Sequence, residues 1–214
     1  MTIATKICGL TCLEDALMAA RAGADYLGFV LSDSPRQITP EVARAIIVRL
    51  PDSLKSVGVF VNEEPSRVND LTEQCGLDYV QLQGQETPEQ CSEYQAPVFK
   101  GLHMAGVPDT VMIHDYDVAA LLFDAYVPGQ AGGTGSRFDW QLLHQFEHRL
   151  PFFLAGGLTP STVAEAISAT QPFGVDVSSG VARSTRRKDA SRVRQFIDAA
   201  HYHEKEKRYA SSSL

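Results

Sequence analysis

The sequence has 214 residues and no hydrophobic run approaching the roughly 18 residues that a membrane-spanning helix needs. Its first ten residues, MTIATKICGL, lack a basic segment followed by a sustained apolar run, so no secretory leader is expected. Only four cysteines are present, and Cys8, Cys12, Cys75 and Cys91 form neither a CxxC pair nor a Cys/His zinc pattern. The simplest setting is a cytoplasmic protein with reduced thiols. Six histidines form no HExxH or facial-triad pattern, and no GxGxxG follows a strand. Neither a metal nor a nucleotide cofactor is therefore expected. Basic residues are in deficit, 19 Lys and Arg against 26 Asp and Glu, for a net charge of −7 and a pI near 5.3. That disfavours nucleic acid or an anionic membrane as the main partner. A small anionic ligand stays open, because a local site can be positive on an acidic protein. Nothing in the sequence calls for an obligate protein partner.

The composition is that of a globular domain, 44% hydrophobic and 21% charged. Strand candidates are Ala4–Cys8, Tyr26–Leu31, Ser56–Val61, Tyr79–Leu82, Val98–Leu102, Ala119–Phe123, Phe152–Ala155 and Phe173–Val177. They run apolar with little alternation, as suits parallel strands covered on both faces. Thr11 with Glu14 fits a capping box ahead of a helix over Leu13–Ala22. Thr39-Pro40, Thr87-Pro88 and Thr159-Pro160 each set an N-cap Thr before a Pro at the first helical position. Further helices are expected at about Ser66–Cys75, Trp140–His148 and Asp189–His203. Between Leu102 and Val118, Gly106 and Pro108 leave room only for a short or irregular fifth helix.

Eight strands, each followed by a helix or its remnant, repeat at roughly 27 residues, near the low end for a (β/α)8 TIM barrel. An open doubly wound sheet usually has five or six strands, so the count favours closure. No linker or charge block divides the chain. The expectation is one α/β domain over 1–203, a closed barrel with catalytic function, and a frayed C-terminal tail over 204–214.

In such a barrel the site lies where strands end and βα loops begin. Gly156 and Gly157 follow the seventh strand and precede a capped helix, and Ser178, Ser179 and Gly180 follow the eighth. Either turn alone is an ordinary turn. Two on adjacent strands point to a phosphate, held by backbone amides and small hydroxyls. Cys8, after the first strand, reads either as a small buried hydrophobe or as a thiolate base at the rim. Asp124 ends the sixth apolar run. It reads as a helix cap, a loop ion pair, or a desolvated carboxyl kept protonated as an acid. The glycine-rich stretch from Tyr126 to Gly135 is a candidate lid. Arg36, in the loop after the second strand, could clamp a carboxylate in two-pronged fashion. Together these residues suggest proton shuttling on a small, phosphorylated, acidic substrate.

At this point the chain resembles the phosphoribosylanthranilate isomerase family of tryptophan biosynthesis. The resemblance rests on Lys6-Ile7-Cys8-Gly9-Leu10-Thr11, Gly23 through Val30, Ser34-Pro35-Arg36, Val57 through Asn62, and Val80-Gln81-Leu82-Gln83-Gly84. It continues with Asp124, Gly132-Gly133-Thr134-Gly135, Phe138-Asp139-Trp140, Ala155 through Pro160 and Asp176 through Val181. The pieces stand in the family's order over about residues 4 to 198. The resemblance implies an Amadori rearrangement of N-(5-phosphoribosyl)anthranilate without any cofactor. It places the general base on Cys8, the general acid on Asp124 and the anthranilate carboxylate on Arg36. Asp176 is implied as a ligand of the sugar hydroxyls or as a structural group.

The chain departs from the family in three respects. Gln83 stands where the family commonly has His, and Gln85 where it has an acid. Gln83 can hydrogen-bond but cannot titrate near neutral pH. The loop Leu31-Ser32-Asp33-Ser34 is shorter than usual and lacks a familiar Lys. Two other readings compete. An indole-glycerol-phosphate synthase would need a catalytic lysine, for which Lys6 lies on the same side of its strand as Cys8. A non-catalytic phosphosugar-binding protein would keep both glycine turns and need neither Cys8 nor Asp124.

Overall fold

The computed structural model describes residues 2–104, 113–125, 140–145 and 149–211. Eight parallel strands close into one barrel in chain order, with β8 pairing back onto β1. They are β1 Ala4–Ile7, β2 Tyr26–Val30, β3 Lys55–Phe60, β4 Tyr79–Leu82, β5 Val98–Met104, β6 Ala120–Ala125, β7 Phe152–Leu154 and β8 Gly174–Val177. Outside them lie α1 Leu13–Ala22, α2 Pro40–Ile47, α3 Pro65–Cys75, the single-turn α4 Pro88–Cys91, a 3-10 segment Trp140–Gln145, α5 Val163–Thr170 and α6 Ala190–Ser211. A short antiparallel hairpin, β9 Ala182–Ser184 with β10 Arg187–Lys188, stands between β8 and α6. No helix among the described residues is long and apolar enough to cross a membrane.

The outer layer is the main hydrophobic core, where Ile7, Leu27, Phe60, Leu82, Phe123 and Leu154 meet helix residues such as Ala16, Val68, Ile167 and Phe196. The barrel interior is a smaller cluster of Ala4, Val57, Phe99, Ala120, Leu122, Phe153 and Ala155. Its floor is aromatic. Tyr26 meets Tyr79, Phe99 and Phe153 edge-on at 5.4 to 5.7 Å between centroids. The N-terminal ends of two strands are tied by the same device. Gly23-Ala24-Asp25-Tyr26 and Gly76-Leu77-Asp78-Tyr79 each close a helix with a left-handed glycine. Each Asp then accepts the backbone N–H of the neighbouring strand, Asp25 from Thr5 and Asp78 from Ser56, both at 2.8 Å.

Strand boundaries differ from expectation by one or two residues, and two differences matter. β5 runs to Met104 rather than Leu102, and β6 includes Asp124 rather than ending before it. The expected capping box before α1 is not formed. Cys12 is the N-cap, Thr11 donates its hydroxyl to the Arg186 carbonyl, and Glu14 pairs with Arg187. Tertiary partners on the β9–β10 hairpin have taken both side chains. Thr39 and Thr87 cap as expected, Thr87 with a complete box through Gln90. Thr159 does not: a turn intervenes, Thr162 is the N-cap, and α5 starts at Val163. Where a tail was expected from Glu204, the last helix runs on to Ser211. Glu, Lys, Arg and Ala in that stretch are good helix formers even without an apolar face. The fifth-helix position (105–112), the glycine-rich lid and the end of the helix expected over Trp140–His148 lie outside the described residues.

Candidate active site

Alternation along each strand decides which residues face the barrel interior. Ala4 belongs to the inner cluster, so Lys6 and Cys8 point inward above it. By the same count Gly28 on β2, Gln81 and Gln83 from β4, Gly101 and His103 on β5, Asp124 on β6, and Asp176 and Ser178 from β8 face in. The top inward layer therefore brings Cys8, Gln83, His103, Asp124 and Ser178 to one rim.

The two expected anion turns meet at this rim. Gly156 and Gly157 have φ of 81° and 65°, which a side chain would strain. Gly180 lies against the Leu158 carbonyl so closely that a Cβ there would collide with it. The N–H groups of Gly156 and Gly157 reach no backbone acceptor among the described residues. One small cavity of about 40 Å³ is lined by Asp124, Gly156, Gly157, Asp176, Ser178, Ser179 and Gly180, with Ala155, Leu158 and Val177. At about 10–15 Å³ per water centre it has room for the oxygens of one phosphate group. The expected helix N-terminus contributes less than its sequence suggested. Thr159 spends its N–H on Thr162 Oγ1, and α5 begins beyond that turn.

Cys8 lies outside that cavity, one strand round the barrel. Its N–H donates to the Val177 carbonyl at 2.9 Å, which sets it beside β8. A Cβ on Gly28 would come within 2.7 Å of Cys8 Sγ and 3.1 Å of Lys6 Nζ, so the two side chains share the space over that glycine. Lys6 is fully buried and bonded to Asp176 Oδ1 at 2.9 Å, its cross-strand neighbour. Burial alone would lower the Lys6 pKa, but Asp176 and Cys8 together raise it above its ordinary value. The Cys8 thiol is held above its ordinary value: burial pushes it up most, Lys6 pulls it back, Asp176 pushes it further up, and Lys188 pulls it down.

Arg36 lies across Gly9, where a Cβ would come within 2.6 Å of its Cδ. Its Nε is buried with no acceptor among the described residues. The short loop that carries it is held on both flanks. Arg186 Nη1 donates to the carbonyls of Pro35 at 3.1 Å and Gln37 at 3.0 Å. Ser34 Oγ accepts the Arg36 N–H at 3.2 Å.

Three groups at the rim were missed or undervalued in the sequence. Lys188 on β10 is buried, donates to the Ser178 carbonyl at 2.9 Å, and has its pKa lowered to about 8, chiefly by burial. It stands in an Arg-Arg-Lys-Asp run that reads as a solvated loop. His103 pairs in register with Asp124, and its Nε2 is 3.2 Å from the Gln83 carbonyl. Ending β5 at Leu102 hid it; continued period-two alternation from Phe99 would have found it. Gln83 itself accepts from Gln81 at 2.8 Å and keeps a buried Nε2 with no acceptor among the described residues. An imidazole is thus present at this end of the site, on β5 rather than after β4.

Closed barrel, glycine turns after β7 and β8, and ionisable groups from β1 and β6 on one rim define a (β/α)8 barrel of the metabolic-enzyme kind. The family follows from comparison with known proteins. A family model described as N-(5'phosphoribosyl)anthranilate (PRA) isomerase matches residues 5–199. The N-(5'-phosphoribosyl)anthranilate isomerase of Geobacter sulfurreducens is 49% identical over 199 residues, covering 92% of this chain and 98% of its own. The crystal structure of phosphoribosyl anthranilate isomerase from Thermotoga maritima superposes with a TM-score of 0.85 at 39% identity, covering 93% of this chain and 98% of that one. A phosphoribosyl anthranilate isomerase solved with reduced 1-(o-carboxyphenylamino)-1-deoxyribulose 5-phosphate gives 0.81 at 38% identity over the same shares. The chain belongs to the N-(5'-phosphoribosyl)anthranilate isomerase family.

Proposed function

We propose that this chain converts N-(5'-phosphoribosyl)anthranilate to 1-(2-carboxyphenylamino)-1-deoxyribulose 5-phosphate, a step of tryptophan biosynthesis, with Asp124 as acid and Cys8 as base. Asp124 gives its proton to the ribose ring oxygen; the C1–O bond breaks and the anilino nitrogen's lone pair forms the iminium. The Cys8 thiolate then takes the C2 proton; the C2–H electrons form the C1=C2 bond of an enolamine as the C1=N π electrons return to nitrogen. Tautomerisation moves a proton from the C2 hydroxyl to C1 and leaves the ketone. Protons move within a closed balance, so the chemistry calls for neither metal nor redox cofactor. A cytoplasmic setting, where the four free thiols stay reduced, accords with this reading.

The observation that carries the reading is that one rim holds both halves of the chemistry. Asp124 lines the anion cavity, and Cys8 stands on the neighbouring side of Asp176 and Ser178. In this arrangement the phosphate sits between the Gly156-Gly157 and Ser178-Ser179-Gly180 turns, and Asp176 faces the sugar. Arg36 offers its Nε, which meets no acceptor among the described residues, to the anthranilate carboxylate. The competing lysine chemistry is disfavoured, because Lys6 is locked to Asp176 and held as a cation.

Calorimetric binding of reduced 1-(o-carboxyphenylamino)-1-deoxyribulose 5-phosphate tests the placement. Arg36→Ala is expected to weaken it by roughly 1.5–3 kcal/mol, the net worth of a charge-assisted hydrogen bond. The same ligand without its carboxylate should not feel that change; equal losses for both would remove Arg36 from the carboxylate. Inorganic phosphate should compete with the ligand. Gly157→Val is expected to suppress that competition, because Val is strained at φ 65° and fills the approach. Ser179→Ala should cost less, since the backbone amide survives. Undiminished phosphate competition in Gly157→Val would put the anion elsewhere.

A further inference from the structure

Burial and Asp176 oppose ionisation of Cys8, and two buried lysines favour it. Lys6 and Lys188 are both buried, with relative exposures of 0% and 4%. Asp176 is the buried carboxylate between them, and its Oδ1 is bonded to Lys6. Lys188 reaches no carboxylate within ion-pair distance among the described residues; its Nζ donates to the neutral carbonyl of Ser178. Asp15, the nearest alternative, accepts the Lys188 backbone N–H at 2.8 Å and pairs through its oxygens with the Arg187 guanidinium. Arg36 adds a further positive charge on this side of the mouth. The charged groups acting on Cys8 are thus Lys6 from its own strand, Asp176 from β8 and Lys188 from β10, while Arg36 from the loop after β2 acts on Lys188. Asp15 on α1 stands behind Lys188. With a neutral thiol, Lys188 meets no carboxylate within ion-pair distance among the described residues; a thiolate gives the ammonium an anionic neighbour.

We propose that Lys188 is a positioning residue for the reaction: its buried ammonium, which pairs with no carboxylate among the described residues, offsets part of the cost of ionising the buried Cys8 at the barrel mouth, so that more thiolate is available as base than burial alone would allow. This rests on the assignment of Cys8 as the base. The hairpin is what brings it there. β9 and β10 fold back after β8, and the contacts of Arg187 with Glu14 and Asp15 pin that hairpin to α1. The ammonium is then clamped over the Ser178 carbonyl, next to the strand that receives the Cys8 N–H. The electrostatics agree with the geometry. Burial drives the Lys188 pKa down to about 8 while Cys8 and Asp176 hold it up, and Lys188 in turn opposes the burial effect on Cys8. Each charged form favours the other, so the two titrate as a pair.

The test is the pH titration of the far-ultraviolet thiolate absorbance, taken as the difference between a chain and the same chain carrying Cys8→Ser. The difference isolates Cys8 and needs no reagent access. Lys188→Met keeps much of the side chain's bulk and removes the charge. It is expected to raise the Cys8 midpoint by about one unit or more, the usual effect of losing one nearby opposite charge, and so to cut the thiolate fraction about tenfold near neutral pH. Lys188→Arg should return most of the loss. If Lys188→Met does not fold, Lys188→Gln, which keeps a donor, carries the same comparison. A Cys8 midpoint unchanged in the folded charge-less variant would overturn the proposal. A variant that lost only affinity for the phosphorylated ligand would overturn it too, and would make Lys188 a substrate contact. Failure of the base assignment is separate: it would show as retained turnover in Cys8→Ser.

Discussion

Cys8→Ser and Asp124→Asn are each expected to lower kcat by about 10²- to 10⁴-fold, the usual contribution of a correctly placed acid or base. Neither should disturb the fold. Serine is slightly smaller than the thiol it replaces over Gly28, and asparagine matches the shape of aspartate at the β6 rim. Serine fails as a base because its hydroxyl is far less acidic than a thiol, and asparagine cannot donate an acidic proton. Substrate affinity should change little, since the proposed site holds phosphate and carboxylate through other groups. The double variant should lose less than the product of the two, because proton donation and abstraction serve one sequence. Wild-type kcat in either single variant would remove that residue from its role.

Glu86→Leu is expected to destabilise the protein by about 3–5 kcal/mol, the cost of leaving a buried charge without its partner. Glu86 Oε2 lies 2.7 Å from Lys100 Nζ, and both side chains are almost fully buried under the loop after β4. Lys100 also donates to the Gly84 carbonyl at 2.8 Å, and Glu86 Oε1 accepts the Asn62 N–H at 2.8 Å. The pair therefore ties the ends of β3, β4 and β5 beneath Gln83. Denaturant unfolding measures the loss. Adding Lys100→Met should recover a large part of it, because a well-packed apolar pair replaces a broken ion pair. A loss below about 1 kcal/mol for Glu86→Leu would show that water reaches Lys100.

Much of this molecule is written locally. β1 through β8 are legible because strands covered on both faces must be apolar throughout, and Thr39 and Thr87 cap their helices through neighbours in sequence. That the candidate site residues at strand ends share one rim was legible for a geometric reason: closure places every strand end there. Reading failed where distant partners competed for a side chain. Thr11 and Glu14 spell a capping box, yet Arg186 and Arg187 capture them across the barrel seam. Thr159-Pro160 spells a helix start, yet Thr162 takes the Thr159 N–H and delays the helix. Lys188 looks solvated because burial on a hairpin after the last strand leaves no periodic trace. Of its partners, Ser178 and Asp176 come from the neighbouring strand β8 and Cys8 from the opposite end of the chain.

The central claim is that Cys8 and Asp124, on opposite sides of one phosphate-bearing rim, carry an isomerisation of N-(5'-phosphoribosyl)anthranilate. Its most direct test is to give the purified chain that substrate and follow the loss of its anthranilate-type fluorescence, with Cys8→Ser and Asp124→Asn in parallel. The account predicts rapid loss with the parent chain, formation of the deoxyribulose phosphate product, and loss slowed at least about 100-fold in each variant. A parent chain that binds the substrate but leaves its fluorescence intact, or variants that match the parent, would contradict it.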